Sequence, residues 1–329
     1  MRAQNVRIGI LALALLVTLG RSDAFAWGCE GHQAIAILAE QVLGAASLQG
    51  LRAVLSGSPV DPSLRRGCLA VPSDIIADAA TWADDQRAAE PSTSSWHFVN
   101  LPLSLASRTA NPAPFCVGGN CVIDAITKQF QTLKSSADRT QRANALRFII
   151  HFVGDIHQPL HVVTNGDRGG NCFPVTYFAR SPEQDDRGGF SPNLHAVWDS
   201  MVIATLMKAH GLSDARALAA HLAAQGPFPK TVTARVPTTS AVTGWAREAH
   251  ALARSIAYGR LPVAAPTEPA PAITLSSCQD NHDVAHRMLA LHEGLAQPYE
   301  QASETAVAGQ LRLAGTRLAA VLKSVFPGP

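Results

Sequence analysis

Apolar residues recur at helical spacing in many segments of the chain, and this pattern predicts a mainly α-helical protein. The first such segment follows Gly31, keeps its apolar residues on one face and ends at Gly44. Further helices are predicted for 73–87, 122–133, 141–158, a segment starting at the N-cap residue Asn193, 212–225, 245–258, 282–296 and 310–324. Proline-rich breaks at 227–237 and 262–271 separate the last of these, and no internal repeat or heptad array is present.

Extended structure is expected in only a few places. The stretch 95–100 has the alternation of a short strand, with His97 on one side and Phe98 and Asn100 on the other. Residues 102–114 are rich in Ser, Pro and Asn and should form a loop. Residues 164–193 are rich in Gly, Asn and Asp, with a hairpin expected around 175–178. Loops of this length are uncommon unless they carry function.

The first 26 residues have the pattern of a secretory signal. Arg2 and Arg7 precede an apolar run over 8–19, and Ala24 and Ala26 form a small-residue cleavage site. The run is about a dozen residues long, whereas a membrane span needs ~20, so an uncleaved anchor is the weaker alternative. We therefore expect a signal peptide over 1–26 and a mature domain over 27–329. The protein would be secreted or periplasmic, without a membrane span, and nothing in the sequence requires an obligate protein partner.

Charge and cysteine content narrow the function further. The segment 1–26 holds three Arg and one Asp, so removing it from totals of 27 Lys+Arg and 25 Asp+Glu leaves a formally neutral chain. A neutral chain is poorly suited to grip nucleic acid with a broad basic surface, so bound metal would have to supply positive charge to a phosphate. Six cysteines in an exported chain favour disulfides. Cys116 and Cys121 flank a short VGGN loop that a disulfide could close, and the other four permit several pairings.

The densest chemistry lies in the segment 147–163, RFIIHFVGDIHQPLHVV. His151 and Asp155 are four residues apart and share one face of a helix. Pro159 should end that helix near Gln158, which leaves His161 on a turn where it could fold back toward the pair. Three zinc-type ligands within eleven residues indicate a metal site. The alternative is a buried histidine pair satisfied by a neighbouring carboxylate.

The same spacing recurs in His195 and Asp199, which makes chance a poor explanation. His32 lies in the first turn after Trp27, whose α-amine and carbonyl oxygen could chelate a metal if cleavage precedes it. The alternative for Trp27 and His32 is an ordinary frayed terminus. The alternative for Asp84 and Arg87 is that they belong to a solvated helix face. The candidate donors are Trp27, His32, Asp84, His97, His151, Asp155, His161, His195 and Asp199. These exceed the needs of one tetrahedral zinc and suit a cluster of three, since nitrogen and carboxylate donors favour zinc.

Five motifs carry these residues in order: WGxxGH, TWADxxR, WHFVN, HFxGDIHQPLH and NLHxxWD. In this the chain resembles the zinc-dependent single-strand-specific nucleases of fungi, plants and bacteria (type I nucleases), whose mainly α-helical fold is shared with the zinc phospholipases C. The resemblance runs from Trp27 through Trp198, and YGRLP and RLAAVL extend it almost to the end.

The resemblance implies a role for each candidate residue. One zinc would be held by Asp84, His97, His151 and Asp155, a second by His161, His195 and Asp199, and a third by the Trp27 backbone, His32 and Asp155. Phe98 matches the aromatic residue that stacks on a base, and Arg87 matches a basic residue that contacts the phosphate. Asn100 stands where fungal members have an acidic residue, so base preference stays open.

The implied function is a secreted phosphodiesterase that cleaves single-stranded DNA and RNA and also acts on 3′-nucleotides. A hydroxide activated by metals that Asp155 bridges would attack phosphorus and leave 5′-phosphorylated products. A phospholipase C-type enzyme is the first alternative, and WHFVN argues against it. The second is an exported zinc-binding protein without catalysis, which would be expected to lack a ligand.

Overall fold

The computed structural model describes residues 27–71, 73–185, 188–229, 236–267, 277–280 and 283–327. The expected signal peptide over 1–26 lies outside these residues. Helices dominate, which confirms the mainly α class. They are α1 (Gly28–Val42), α2 (Ala45–Ser56), α3 (Ile75–Ala79), α4 (Trp82–Ala89), α5 (Val122–Ser135), α6 (Arg139–Asp155), α7 (Leu194–Ala196), α8 (Val202–His210), α9 (Ala215–Ala224), α10 (Thr239–Leu252), α11 (Asp283–Leu291) and α12 (Gln297–Val325). Within the described residues, no helix is both long and apolar enough to cross a membrane.

Helix α6 is the centre of the fold. Every residue from Ala145 to Asp155 is buried, which is the pattern of a helix surrounded by protein on all sides. Asp138 caps its first turn by accepting a hydrogen bond from the backbone N–H of Gln141. Helix α5 packs along α6, while α12 packs along α1. These two layers enclose the segment on which the candidate ligands lie.

Several predicted elements have other boundaries or forms. The stretch 95–100 was expected to be extended, but its first part belongs to a 3-10 helix, Pro91–His97, and only from Phe98 is the backbone extended. Proline at the first helical position fits that start, because its missing N–H has no partner there. Helix α1 begins at Gly28 rather than after Gly31, and α12 extends well before residue 310. Helix α2 was not predicted, and the predicted helix over 282–296 ends at Leu291.

The strands are short and form three pairs: β1 (Leu101–Pro102) with β2 (Val163–Thr164), β3 (Val175–Tyr177) with β6 (Glu293–Leu295), and β4 (Glu183–Gln184) with β5 (Phe190–Ser191). The first two pairs are parallel and the third is antiparallel. At the hairpin expected around 175–178 the chain does turn back on itself, because Tyr177 and Arg180 exchange backbone hydrogen bonds in a single antiparallel bridge. The ladder of β3 itself is formed with β6, from the far end of the chain.

All six cysteines are paired. The disulfide Cys116–Cys121 confirms the small bridged loop, and the others are Cys29–Cys68 and Cys172–Cys278. The Cys29–Cys68 bond joins the first turn of α1 to the loop that precedes α3, so it holds the segment beside Trp27 against the rest of the domain.

Glu40 on α1 faces Asp74, the N-cap residue of α3. Burial raises the pKa of Glu40 to about 7, with a further contribution from the hydrogen bond and negative charge of Asp74, while Arg52 opposes the shift. Its carboxyl group therefore stays protonated in the folded protein at pH values where the unfolded chain has lost the proton.

Glu40→Gln should remove a pH-dependent loss of stability. The unfolded carboxyl group releases its proton near pH 4.5 and the folded one near pH 7, so the free energy of unfolding of the unaltered protein falls as pH rises through this window. Denaturant unfolding at about pH 5 and about pH 8 measures the difference. Glu30→Gln, at an exposed position of the same helix, is the control. If the free energy of unfolding changed with pH equally in Glu40→Gln and in the unaltered protein, the raised pKa of Glu40 would be contradicted.

Candidate metal centre

Helix α6 and the turn that follows it carry three of the candidate donors. His151 and Asp155 lie one helical turn apart, with Nε2 of His151 3.2 Å from Oδ2 of Asp155. The helix ends at Asp155, as Pro159 requires, and a 3-10 turn over Pro159–His161 brings His161 back toward the helix. Nδ1 of His161 lies 3.8 Å from Oδ1 of Asp155.

A first group of donors surrounds Oδ2 of Asp155. Nδ1 of His97 is 3.0 Å from this oxygen and 3.1 Å from Nε2 of His151. Asp84, from the first turn of α4, lies 3.7 Å from each of these two ring nitrogens. His97 is the last residue of its 3-10 helix, so the element that was expected to be a strand still delivers its imidazole to the site.

A second group lies beyond His161. Nε2 of His195 is 3.2 Å from Oδ2 of Asp199, and Nε2 of His161 is 3.7 Å from Oδ1 of the same carboxylate. The two imidazole rings stack with centroids 5.1 Å apart. Asn193 caps α7 by accepting from the backbone N–H of Ala196, which confirms the expected N-cap and fixes the start of the helix that carries His195.

A third group forms where α1 meets α6. Nε2 of His32 lies 3.4 Å from Oδ1 of Asp155, the oxygen on the opposite side from His97. Gly154 permits this approach, since a Cβ there would lie 2.8 Å from Nδ1 of His32. Trp27 is fully buried and its indole N–H donates to the carbonyl of Gly154 at 2.8 Å. This bond holds the Trp27 side chain against the last turn of α6.

The spacing of these donors fits a metal ion. Ligands placed 2.0–2.1 Å from a tetrahedral zinc lie about 3.3 Å from one another, and the donor pairs within the three groups are 3.0–3.7 Å apart. Several buried donor atoms also lack a hydrogen-bond partner in the described structure, which is costly unless a cation satisfies them. They are both ring nitrogens of His32, both oxygens of Asp84, Oδ1 of Asp155 and Oδ2 of Asp199.

Three histidines have their tautomer set by the backbone. Because a carbonyl oxygen only accepts, each Nδ1–H must donate, which leaves Nε2 as the lone-pair nitrogen that a metal requires. The bonds run from His151 to the carbonyl of Ala80 at 2.7 Å, from His161 to that of His97 at 2.8 Å and from His195 to that of Gly169 at 2.7 Å.

The electrostatics of the site centre on Asp155. Burial alone would raise its pKa, but the charge of His151 and hydrogen bonds from the surrounding imidazoles hold the pKa well below its usual range. Burial lowers the pKa of His97 to about 4, so its ring is neutral. Burial also disfavours the charged form of His151, but Asp155 and Asp84 raise its pKa to about 9. A metal ion among these groups would take the place of that proton.

The residues expected to contact substrate lie beside these groups. Phe98 follows His97 directly and is 36% exposed, so its ring is accessible. Asn100 is partly buried one residue before β1. Nη2 of Arg87 lies 3.4 Å from Oδ1 of Asp84, which holds the guanidinium at the edge of the first group.

Two interactions escaped the sequence interpretation. Gln158, treated there only as a helix end, donates from Nε2 to Oδ1 of Asp199 at 2.5 Å. Asp85, next to Asp84, accepts from Nε of Arg66 at 2.6 Å and from the backbone N–H of Gly67 at 2.7 Å. Both link segments far apart in sequence, and no local pattern indicates such partners.

Comparison with known proteins shows which family this chain resembles along its sequence. The family model for S1/P1 nuclease matches residues 27–327. The chain is 30% identical to nuclease P1 of Penicillium citrinum and 29% identical to nuclease PA3 of a Penicillium species, with 69% of this chain and 80% of each relative covered. Endonuclease 2 of Arabidopsis thaliana is 28% identical over 61% of this chain and 64% of its own length.

The family match spans both the donor groups and the helices that enclose them. The resemblance inferred from the five motifs is therefore confirmed. This chain belongs to the S1/P1 nuclease family, a family of hydrolytic enzymes.

Proposed function

We propose that this protein is an exported zinc-dependent nuclease. It cleaves single-stranded DNA and RNA to 5′-phosphorylated nucleotides and removes the phosphate of 3′-nucleotides. The observation that carries the proposal is the convergence of three donor groups on one buried segment, with two of them sharing Asp155. Family membership supports the reaction class.

In this proposal three zinc ions occupy the three groups. The first is held by Asp84, His97, His151 and Asp155, the second by His161, His195 and Asp199, and the third by His32, Asp155 and the amine and carbonyl oxygen of Trp27. Cleavage after residue 26 would free that amine. Three dications against three carboxylates would leave a net charge of about +3 in the pocket, whereas the chain after residue 26 is itself formally neutral.

When bound, the zinc ions supply Lewis acidity and a water-derived nucleophile near neutral pH. The protein contributes orientation. The two oxygens of Asp155 face different donor groups, and Asp155 lies on a helix that is buried on all sides. Rigid packing of this helix would therefore set the separation of the two metal positions. The guanidinium of Arg87 lies where it can donate to a phosphate oxygen of the substrate. No side-chain nucleophile is needed for in-line displacement of the 3′ oxygen.

Selectivity for single strands follows from Phe98. A base that stacks on its exposed ring must leave its own stack, which costs a few kcal/mol in a duplex and much less in a loop or single strand. Asn100, with both a donor and an acceptor in its side chain, would contact the edge of that base. The amide permits either hydrogen-bonding direction, so it does not commit the pocket to one base.

Purified protein assayed on single-stranded DNA, duplex DNA, a 3′-nucleotide and a phosphatidylcholine emulsion tests the proposal. The expected result is rapid hydrolysis of single-stranded DNA and the 3′-nucleotide, slow cleavage of duplex, and loss of activity on chelation with recovery after zinc is returned. Hydrolysis of the lipid alone would indicate a phospholipase. Unchanged nuclease activity after complete metal removal would refute the mechanism.

Asp155→Asn should release two zinc ions together, because the first and third sites share this carboxylate and the amide loses its charge and one of its two donor oxygens. Zinc content after gel filtration, measured by elemental analysis, should fall from about three to about one per chain. Asp61→Asn, at an exposed position outside the donor groups, is the control. A variant that keeps its full metal content would exclude the bridging role.

Phe98→Ala should weaken binding of a single-stranded substrate more than it slows turnover. Loss of one stacking contact, worth about 1–3 kcal/mol, corresponds to a rise in KM of roughly five- to 150-fold with kcat less affected. Phe178→Ala removes another phenylalanine, which is 52% exposed and is not among the candidate site residues, and should leave both constants unchanged. Equal kinetic constants for Phe98→Ala and the unaltered enzyme would refute the stacking assignment.

A further inference from the structure

We infer that Gln158 is a positioning residue that decides which oxygen of Asp199 is presented to a metal ion. The inference rests on the proposed function, because it concerns the metal site made by His161, His195 and Asp199. Gln158 is fully buried and donates to Oδ1 of Asp199 at 2.5 Å.

The orientation of the Gln158 amide is set by a second bond. Its Oε1 accepts from the backbone N–H of Leu160 at 2.5 Å, and a backbone N–H can only donate. The oxygen end of the amide is thereby fixed, so the NH2 end must face Asp199. An amide in this position cannot turn over without losing both bonds.

The two oxygens of Asp199 therefore have different surroundings. Its Oδ1 is occupied by the amide, whereas its buried Oδ2 has no hydrogen-bond partner in the described structure and lies 3.2 Å from Nε2 of His195. Oδ2 is then the oxygen that keeps all of its acceptor capacity. It lies beside His195, whose Nδ1 is bonded to the carbonyl of Gly169. Gln158 holds the carboxylate in the rotation that a metal next to His195 requires.

The backbone of Gln158 reaches two further donor residues. Its N–H donates to the carbonyl of Asp155 at 2.9 Å, and its own carbonyl accepts from the N–H of His161 at 3.0 Å. One buried residue is therefore bonded to ligands from two metal groups through its main chain and to Asp199 through its side chain. The side-chain bond is the part that a substitution can remove.

Gln158→Met keeps the length and burial of the side chain and removes both polar atoms. Dialysis against buffers of graded free zinc should show that one of the three zinc ions binds about 10–100-fold more weakly while the other two are retained as before. Excess zinc should restore nuclease activity. Gln310→Met, the same change at a buried position of α12 that is not part of the donor groups, should leave all three affinities unaltered.

The outcomes separate the inference from the proposed function. If the unaltered protein binds no zinc, or binds it without cleaving single-stranded DNA, the proposed function fails. If it passes both tests but Gln158→Met binds three zinc ions normally, or loses all three by one factor, only the role of Gln158 is overturned.

A measurement on the unaltered protein covers the case in which Gln158→Met does not fold. The side-chain amide signals of Gln158 in a ¹H–¹⁵N spectrum should shift when the zinc site at Asp199 fills. Signals that stay at the position of a solvent-exposed amide throughout the zinc titration would equally overturn the inference.

Discussion

A carboxylate buried at the centre of the protein is the constraint on which this structure depends. Asp155 is fully buried, and an isolated charge in such a place costs several kcal/mol. It is tolerated because the imidazoles of His32, His97, His151 and His161 approach it within 3.0–3.8 Å. Their lone pairs and the partnerless oxygens around them still require positive charge. Divalent cations among these donors would supply that charge, and the family to which the chain belongs consists of hydrolytic enzymes.

The fold supplies rigidity to this arrangement by indirect means. Three of the imidazoles, those of His151, His161 and His195, donate from Nδ1 to a backbone carbonyl. The carbonyls belong to Ala80, His97 and Gly169, so each ring is fixed by a segment other than its own. On α4, Asp85, the neighbour of Asp84, accepts hydrogen bonds from the loop around Arg66 and Gly67. The Cys29–Cys68 disulfide joins that loop to the first turn of α1, next to Trp27. The loop thus links α1 and α4, covalently at one end and by hydrogen bonds at the other.

Local patterns predicted much of this correctly. The i,i+4 pairs His151/Asp155 and His195/Asp199, the end of α6 before Pro159 and the cap at Asn193 depend on residues close in sequence, and each has the expected form. The failures have a common cause. The stretch before Phe98 alternates like a strand but belongs to a 3-10 helix that begins at Pro91. The chain turns back between Tyr177 and Arg180 as expected, but the ladder of β3 is formed with Glu293–Leu295. A run of a few residues is too short to decide between such alternatives, and packing made the choice.

The amino-acid sequence by itself determined the chemical identity of the donors, their spacing along each helix and the class of metal they suit, because side-chain chemistry and helical periodicity act over a few residues. The tertiary structure alone decided which donors meet. It placed His32 on the opposite oxygen of Asp155 from His97, paired four of the six cysteines, and gave Gln158 its bond to Asp199, 41 residues away. Contacts of this kind depend on how whole helices pack around α6, and no short segment of the chain contains that information.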